Sequence, residues 1–335
     1  VATVLDGSDV SRRGLAEGDE LVSFAGRPMG SVNQFKNVLG LYPRGWRLPL
    51  VYRTRNDKMQ TETKQVLVRL MGAIRQEIRD PDQPQPKPGP RPVPVPAGPP
   101  SPAAKFYKAK EGFANYYFNE QARDALLAGF KRHGDFTGLK GAWVLEGTCD
   151  TRGRAELFKF VVKEEEDPKT KGKRLVATFD KGGIPFKIEP LKKQDLKELK
   201  VPEGSGGLTF ALFTWTQLLT VGQKGFEGDF SHGGVEPFYP PPADGIVTDW
   251  AKLRVDAEVL RTAVLGVQGK WYFSPKDQAL LGFETSMERE EDPCEVYFFD
   301  YQKVDGRELP HRIEVRYGDG RYTTLHVKKY DIAAK

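Results

Sequence analysis

The spacing of hydrophobic and polar positions changes several times along the chain, and each change predicts an element. VATVL, from Val1, and ELVSFAG, from Glu20, read as strands, with a short helical turn and a glycine-punctuated loop in the SRRGLAEGD between them. In SVNQFKNVLGLY the residues Phe35, Val38, Leu39 and Tyr42 recur at helical spacing behind Ser31, a good N-cap. WRLPLVYR and KQVLVRL then predict two strands joined across the polar TRNDKMQTET. Further on, the aromatic GFANYYF is expected to be extended, and a helix is expected from Asn119, as N-cap, to Arg132, with Ala125, Leu126 and Phe130 on one face and Gly134 past its end. After Gly141 the pattern turns to strands: AWVLEGT, AELFKFVVK, RLVATFD, FKIEPL, KLRVDAEVL, KWYFS, ALLGFETSM, CEVYFFDYQKV, HRIEVRY and YTTLHVKKYDI, separated by Gly, Pro, Asp or Lys clusters. This rhythm predicts an antiparallel sheet, strongly curved or barrel-like. One segment interrupts it. In GLTFALFTWTQLLTVG, Leu208, Leu212, Trp215 and Leu219 are spaced by four, three and four, which predicts a helix packed into the concave side of the sheet.

Composition divides the chain. Eleven of the 25 prolines fall between Pro81 and Pro102, the signature of an extended, semi-rigid spacer, with a PxxP ligand as the alternative. The expected organisation is a first domain over 1–72, a proline-rich linker over 73–104 and a β-rich domain over 105–335, an α+β fold class overall. The 335 residues suffice for separate cores. Because the chain opens on Val1 in strand-like sequence, the first domain is expected to be cut at its N-terminal side. Charge is interleaved, 51 basic against 46 acidic residues, so the basic stripe of a nucleic-acid binder is missing. Cys149 and Cys294 lie far apart without metal-ligand spacing, leaving buried free thiols or one pair as the choices. No run of 18 apolar residues predicts a membrane span.

The segment from Val1 to Leu70 resembles the PDZ domains of the HtrA/DegP family of serine proteases. The resemblance rests on VATVLDGSDVSRRGLAEGDELVSFAGRPMGSVNQF, with Gly14, Leu15, Gly18, Asp19, Gly26, Phe35 and Gly45 at the family's spacing. It implies a PDZ domain that binds peptides by strand addition beside a helix. Val32, Phe35, Lys36 and Leu39 would line that groove, Phe35 and Leu39 serving equally well as core. The family's carboxylate-binding loop and peptide-pairing strand would precede Val1. By the same resemblance the parent would be a trypsin-like serine endopeptidase of the cell envelope or periplasm, with its catalytic domain upstream and peptides or unfolded segments as partners.

The remainder bears a looser resemblance to the LolA/LppX-like lipoprotein-carrier fold, carried by an N-terminal helix, paired strands and the terminal GRELPHRIEVRYGDGRYTTLHVKKYDI. It implies a half-barrel over an apolar pocket for an acyl chain, lipid or lipoprotein. Phe210, Phe213, Trp215, Leu218, Trp271, Phe273 and Phe283 would line the pocket or else form ordinary core.

No catalytic residue is assigned. GDFSHGG, from Gly228, is only faintly like the motif around a trypsin-like nucleophile, and Phe230 and His232 break the register an oxyanion hole needs around Ser231. The other histidines are His133, His311 and His326, of which His326 sits in an alternating strand with no evident partner. The acidic runs ending in Asp167 and Asp292 read as solvated turns, calcium being a remote alternative, and KKQDLKELK as an exposed loop or short helical turn. GSGG at Gly204 lacks the Lys-Ser/Thr of a phosphate loop. No cofactor or metal is expected. Three functions compete: the peptide-binding tail of an envelope protease, a non-enzymatic envelope protein carrying lipid or lipidated protein, and a scaffold docking partners through sheet edges.

Overall fold

A computed structural model describes residues 1–71, 102–111, 116–136, 139, 143–151, 153–167, 170–190, 195–227, 230–242, 247–288 and 291–332. The linker expected over 73–104 lies outside them, apart from its last three residues.

The first unit contains α1 (Asp9–Arg12), β1 (Glu20–Phe24), β2 (Arg27–Pro28), α2 (Val32–Leu39), β3 (Arg47–Arg55) and β4 (Thr61–Arg69), its sheet running β2-β1-β3-β4. Ser31 caps α2 by accepting from the Gln34 N–H at 3.2 Å. Phe24, Leu48, Leu50, Tyr52 and Val68 form the core beneath it. VATVL, expected as a strand, forms none. The Val1 ammonium instead donates to Asp19 O, and the Gly18 N–H returns a bond to Val1 O, tying the segment to a turn.

This geometry corrects the expectation of a peptide-binding PDZ domain. Strand addition needs an open edge with unpaired backbone groups. The edge beside α2 is β2, two residues long and ending in Pro28; the Gln34 side chain donates to Pro28 O and accepts from Gly30 N–H, both at 2.9 Å, sealing it. The other edge, β4, gives its Arg69 N–H to Asp9 and its Leu67 carbonyl to Arg13. Of the four expected groove residues, Val32, Lys36 and Leu39 are exposed, while Phe35 packs edge-on against Phe24.

The second unit opens with α3 (Tyr116–Phe130), followed by β5 (Trp143–Thr151), β6 (Arg154–Glu166), β7 (Lys173–Lys181), β8 (Ile184–Ile188), α4 (Leu196–Leu199), α5 (Leu208–Thr220) and β9 (Ser231–Phe238). It continues through β10 (Val255–Val264), β11 (Val267–Phe273), β12 (Leu280–Ser286), β13 (Cys294–Val304), β14 (Arg307–Tyr317) and β15 (Gly320–Ile332). Together they make one open antiparallel sheet of eleven strands, β8-β7-β6-β5-β15-β14-β13-β12-β11-β10-β9. It consists of two meanders, β5–β8 and β9–β15, fused where β15 pairs with β5, Leu325 opposite Cys149.

Alternation assigns two faces. In β13, Cys294, Val296 and Phe298 turn to the main core while Glu295 and Tyr297 turn away; β14 repeats this with Ile313 and Val315 against Glu314. Two expectations are revised. Tyr116, Tyr117 and Phe118 are helical rather than extended, with Lys108 over the Tyr117 ring at 4.0 Å. β9 is not expected from a sequence that glycines interrupt, yet a Cβ at Gly233 would crowd Val259 of β10 at 3.0–3.1 Å, so the glycine eases close pairing there.

Candidate functional site

The inner face of the sheet is organised around α5. Every residue from Leu208 to Leu218 is buried, as expected of a helix that is apolar all round. Its rings reach both meanders: Trp215 lies 5.0 Å from Phe298 on β13 and 6.1 Å from Trp143 on β5, so the sheet wraps the helix. Thr214 and Thr216 donate to Ala211 O and Phe213 O, and Thr220 to Thr216 O. Among the described residues, α5 side chains thus spend their hydrogen bonds on their own helix, and only apolar contact holds α5 to the strands. At its start, buried Ser205 accepts from the N–H groups of Gly207 and Leu208 and donates to Pro202 O. Ser205→Ala is expected to lose about 1–2 kcal/mol, the range for a lost helix-start cap, measured by urea unfolding.

Phe210, Phe213, Trp215, Leu218, Trp271, Phe273 and Phe283 come together in this core, all buried. Trp271 stacks on Phe283 at 4.3 Å and Phe273 meets Phe130 of α3 at 5.6 Å. Two small cavities remain between them. One lies among Phe210, Phe226, Trp271 and Thr285, the other among Phe130, His133, Trp215 and Tyr301. Each offers about 10 Å3, the threshold for one water.

Covering this region, α3 is half exposed, and only Leu126 is fully buried, with Leu127 and Phe130 packed beside it. Its polar fastenings include Arg123 to Phe230 O at 3.3 Å and, in the turn that follows, Arg132 to Asp277 at 3.2 Å between exposed side chains, a type of pair worth little. The single turn Lys131–His133 that follows buries His133 between Phe130 and Tyr301. Burial pushes its imidazole below the usual range, although Glu308 pulls the other way.

The outer face of the sheet carries the first unit. Arg69 lays its guanidinium on Glu284 through contacts of 2.9 and 2.7 Å. Arg13 donates twice to Asp292, and Arg47 Nη1 stands 2.7 Å from Glu295. Leu67, Tyr239 and Trp250 form an apolar patch beside these pairs. Burial works to raise the Glu284 carboxyl, but Arg69 and Lys270 prevail and hold it at about 2. Asp292, read in sequence as part of a solvated turn, is therefore half of a bond between the two units.

Among the described residues, the serine, histidine and cysteine side chains singled out in the sequence are not brought together. Ser231 and His232 are consecutive in β9 and face opposite sides; the Gly228–Asp229 end of that motif lies outside the described residues. His232 lies 3.7 Å from Glu258, His311 Nδ1 contacts Val327 O, and His326 is exposed. Cys149 and Cys294 are buried free thiols, and burial pushes both up, away from the reactive thiolate. Among the described residues no group of His, Cys, Asp and Glu is placed to hold a metal ion, and no helix is long and apolar enough to cross a membrane.

No protein-family profile and no curated protein matches the chain. Similar solved structures include a DUF1329 family protein from Desulfovibrio piger, at 12% identity and a TM-score of 0.34, covering 63% of this chain and 92% of that one. A domain from Vibrio parahaemolyticus assigned as an outer membrane lipoprotein-sorting protein gives 12% and 0.36, covering 65% and 93%. A LolA superfamily protein from Nitrosomonas europaea gives 12% and 0.34, covering 63% and 93%. None of the three is a PDZ domain or a serine protease. The sealed edges of the first unit correct the expectation of an HtrA-like protease tail engaged in peptide binding and proteolysis.

Proposed function

We propose that the chain is a non-enzymatic carrier of the cell envelope that holds an acyl chain, of a lipid or a lipidated protein, on the inner face of its eleven-stranded sheet beneath α3. The observation that carries this reading is the way α5 and α3 are held. An apolar helix enclosed by a sheet through apolar contact alone can exchange part of that contact for a hydrocarbon chain of equal area at little cost, since burial energy is non-directional and scales with area. α3 is the element that would move, because it is half exposed and its underside is apolar. In this reading the first unit, fixed to the opposite face, leaves the inner side free.

Protein purified without detergent, extracted with chloroform and methanol, should release lipid, and the stripped protein should take up the uncharged ester methyl cis-parinarate with a rise in fluorescence. Tying α3 down with a disulfide, through Gly129→Cys and Gln278→Cys, whose Cβ positions stand 3.0 Å apart, near the separation a disulfide spans, should block uptake until the bond is reduced. Absence of both extractable lipid and probe uptake would overturn the proposal.

A further inference from the structure

At the junction of α3, α5 and the sheet, His133 is buried and left without a hydrogen bond. It is 3% exposed, and neither ring nitrogen has a hydrogen-bond partner among the described residues. A buried polar group left unpaired costs about 1–3 kcal/mol, so an orphan of this kind calls for an occupant. The ring borders the small cavity whose wall includes Trp215, Leu219, Leu280 and Leu309, all apolar. The same cavity is lined by Glu308, whose Oε2 stands 3.5 Å from Nδ1 and whose side chain is 40% exposed. The cavity therefore has an apolar inner wall and a polar end that reaches the surface.

Glu308 makes no hydrogen bond with the ring at that separation, but a carboxylate so close favours the tautomer with its proton on Nδ1. Nε2 is then a bare acceptor. A ligand carboxylate would meet the charge of Glu308 and find no donor at Nε2. The nearby cations are already engaged: Arg132 with Asp277, and Arg307 Nε with Asp135 O. The group that fits is uncharged and donates a hydrogen bond.

We propose that His133 is the anchor for the head of the carried chain, its Nε2 accepting a hydrogen bond from a neutral hydroxyl or secondary amide attached to a hydrocarbon tail, with Glu308 as the positioning residue that sets the tautomer. This inference rests on the carrier reading and specifies the ligand it takes. A hydroxyl would come from an acylglycerol or long-chain alcohol, an amide N–H from an N-acylated peptide.

The test displaces methyl cis-parinarate, an uncharged fluorescent ester, with ligands of one chain length: N-methylmyristamide against N,N-dimethylmyristamide, and tetradecanol against its methyl ether. The wild-type protein should favour the donor-bearing member of at least one pair by about 5–10-fold, as expected for one hydrogen bond of ~1 kcal/mol. The pair that shows the larger ratio tells the amide source from the hydroxyl source. His133→Phe should bind all four compounds with that ratio near one. Glu308→Gln, a change at a largely solvated side chain, should reduce the ratio without removing binding, and serves if His133→Phe does not fold. Equal binding within both pairs by the wild type, or a ratio unchanged in the variants, overturns the anchor and leaves the carrier standing, the cavity then holding only a water. Binding of none of the compounds overturns carrier and anchor together.

Discussion

Arg69→Met is expected to destabilise the docked arrangement of the two units by about 3 kcal/mol at neutral pH, the lower end of the range for breaking a buried ion pair by removing one partner. The loss comes from what stays behind. Glu284 has a 5% exposed side chain, and without Arg69 its nearest cation is Lys270, 3.9 Å away. Replacing both members, Arg69→Met with Glu284→Leu, should recover most of the stability, because no charge is then stranded on the outer face. The pH dependence follows from the same pair. The Glu284 carboxyl falls from an ordinary 4.5 to about 2 in the folded protein. A depressed carboxyl contributes stability that is complete above its unfolded value and disappears as pH falls through the folded one, so the wild type should weaken between about pH 4.5 and pH 2. Asp292, also depressed once Arg13 overcomes the effect of burial, adds to the same window; Asp319, raised by burial, opposes it. Urea unfolding at a series of pH values measures both effects. A single variant as stable as the wild type would show that the pair contributes nothing to docking.

The features that could be read in the sequence are the ones whose cause is local. Alternation in CEVYFFDYQKV sets β13 at Cys294–Val304, and the four-three-four spacing from Leu208 sets α5. The glycines behind the PDZ resemblance mark turns: Gly14, Gly18 and Gly26 all adopt positive φ. A spacing of turn residues reports turns, however, and says nothing of whether the strands between them keep an open edge. That depended on Gln34 and Asp9, whose hydrogen bonds no periodicity reveals. The docking of the units was out of reach for a related reason. Arg69 and Glu284 are 215 positions apart, and Arg13 and Asp292 are 279 apart, while each looks in its own segment like an ordinary solvated charge. His133 was equally silent, a lone histidine past a helix end whose importance lies in the rings of Phe130 and Tyr301 on either side.

Trp215→Ala should have the largest effect on the inner face, costing about 3–5 kcal/mol, the range for truncating a buried tryptophan. Trp215 is 1% exposed and lies against Phe298 and Trp143, so its removal opens space that merges with the small cavity beside His133. The volume left by the ring itself faces apolar side chains and has the shape of the lost ring, so it accepts an apolar guest. Indole, which replaces the missing side chain atom for atom, should therefore raise the melting temperature of Trp215→Ala and leave that of the wild type unchanged. At a concentration a hundred times its dissociation constant, the rescue would amount to about 2.7 kcal/mol. The result bears on the carrier reading through the behaviour of α5. Rescue by indole means that α5 and the surrounding strands keep their places when a ring is withdrawn, so an acyl chain must enter by movement of α3. A variant that is destabilised far less than expected and gains nothing from indole has let α5 collapse into the gap, and the moving element is then α5 itself, which nothing but apolar contact restrains.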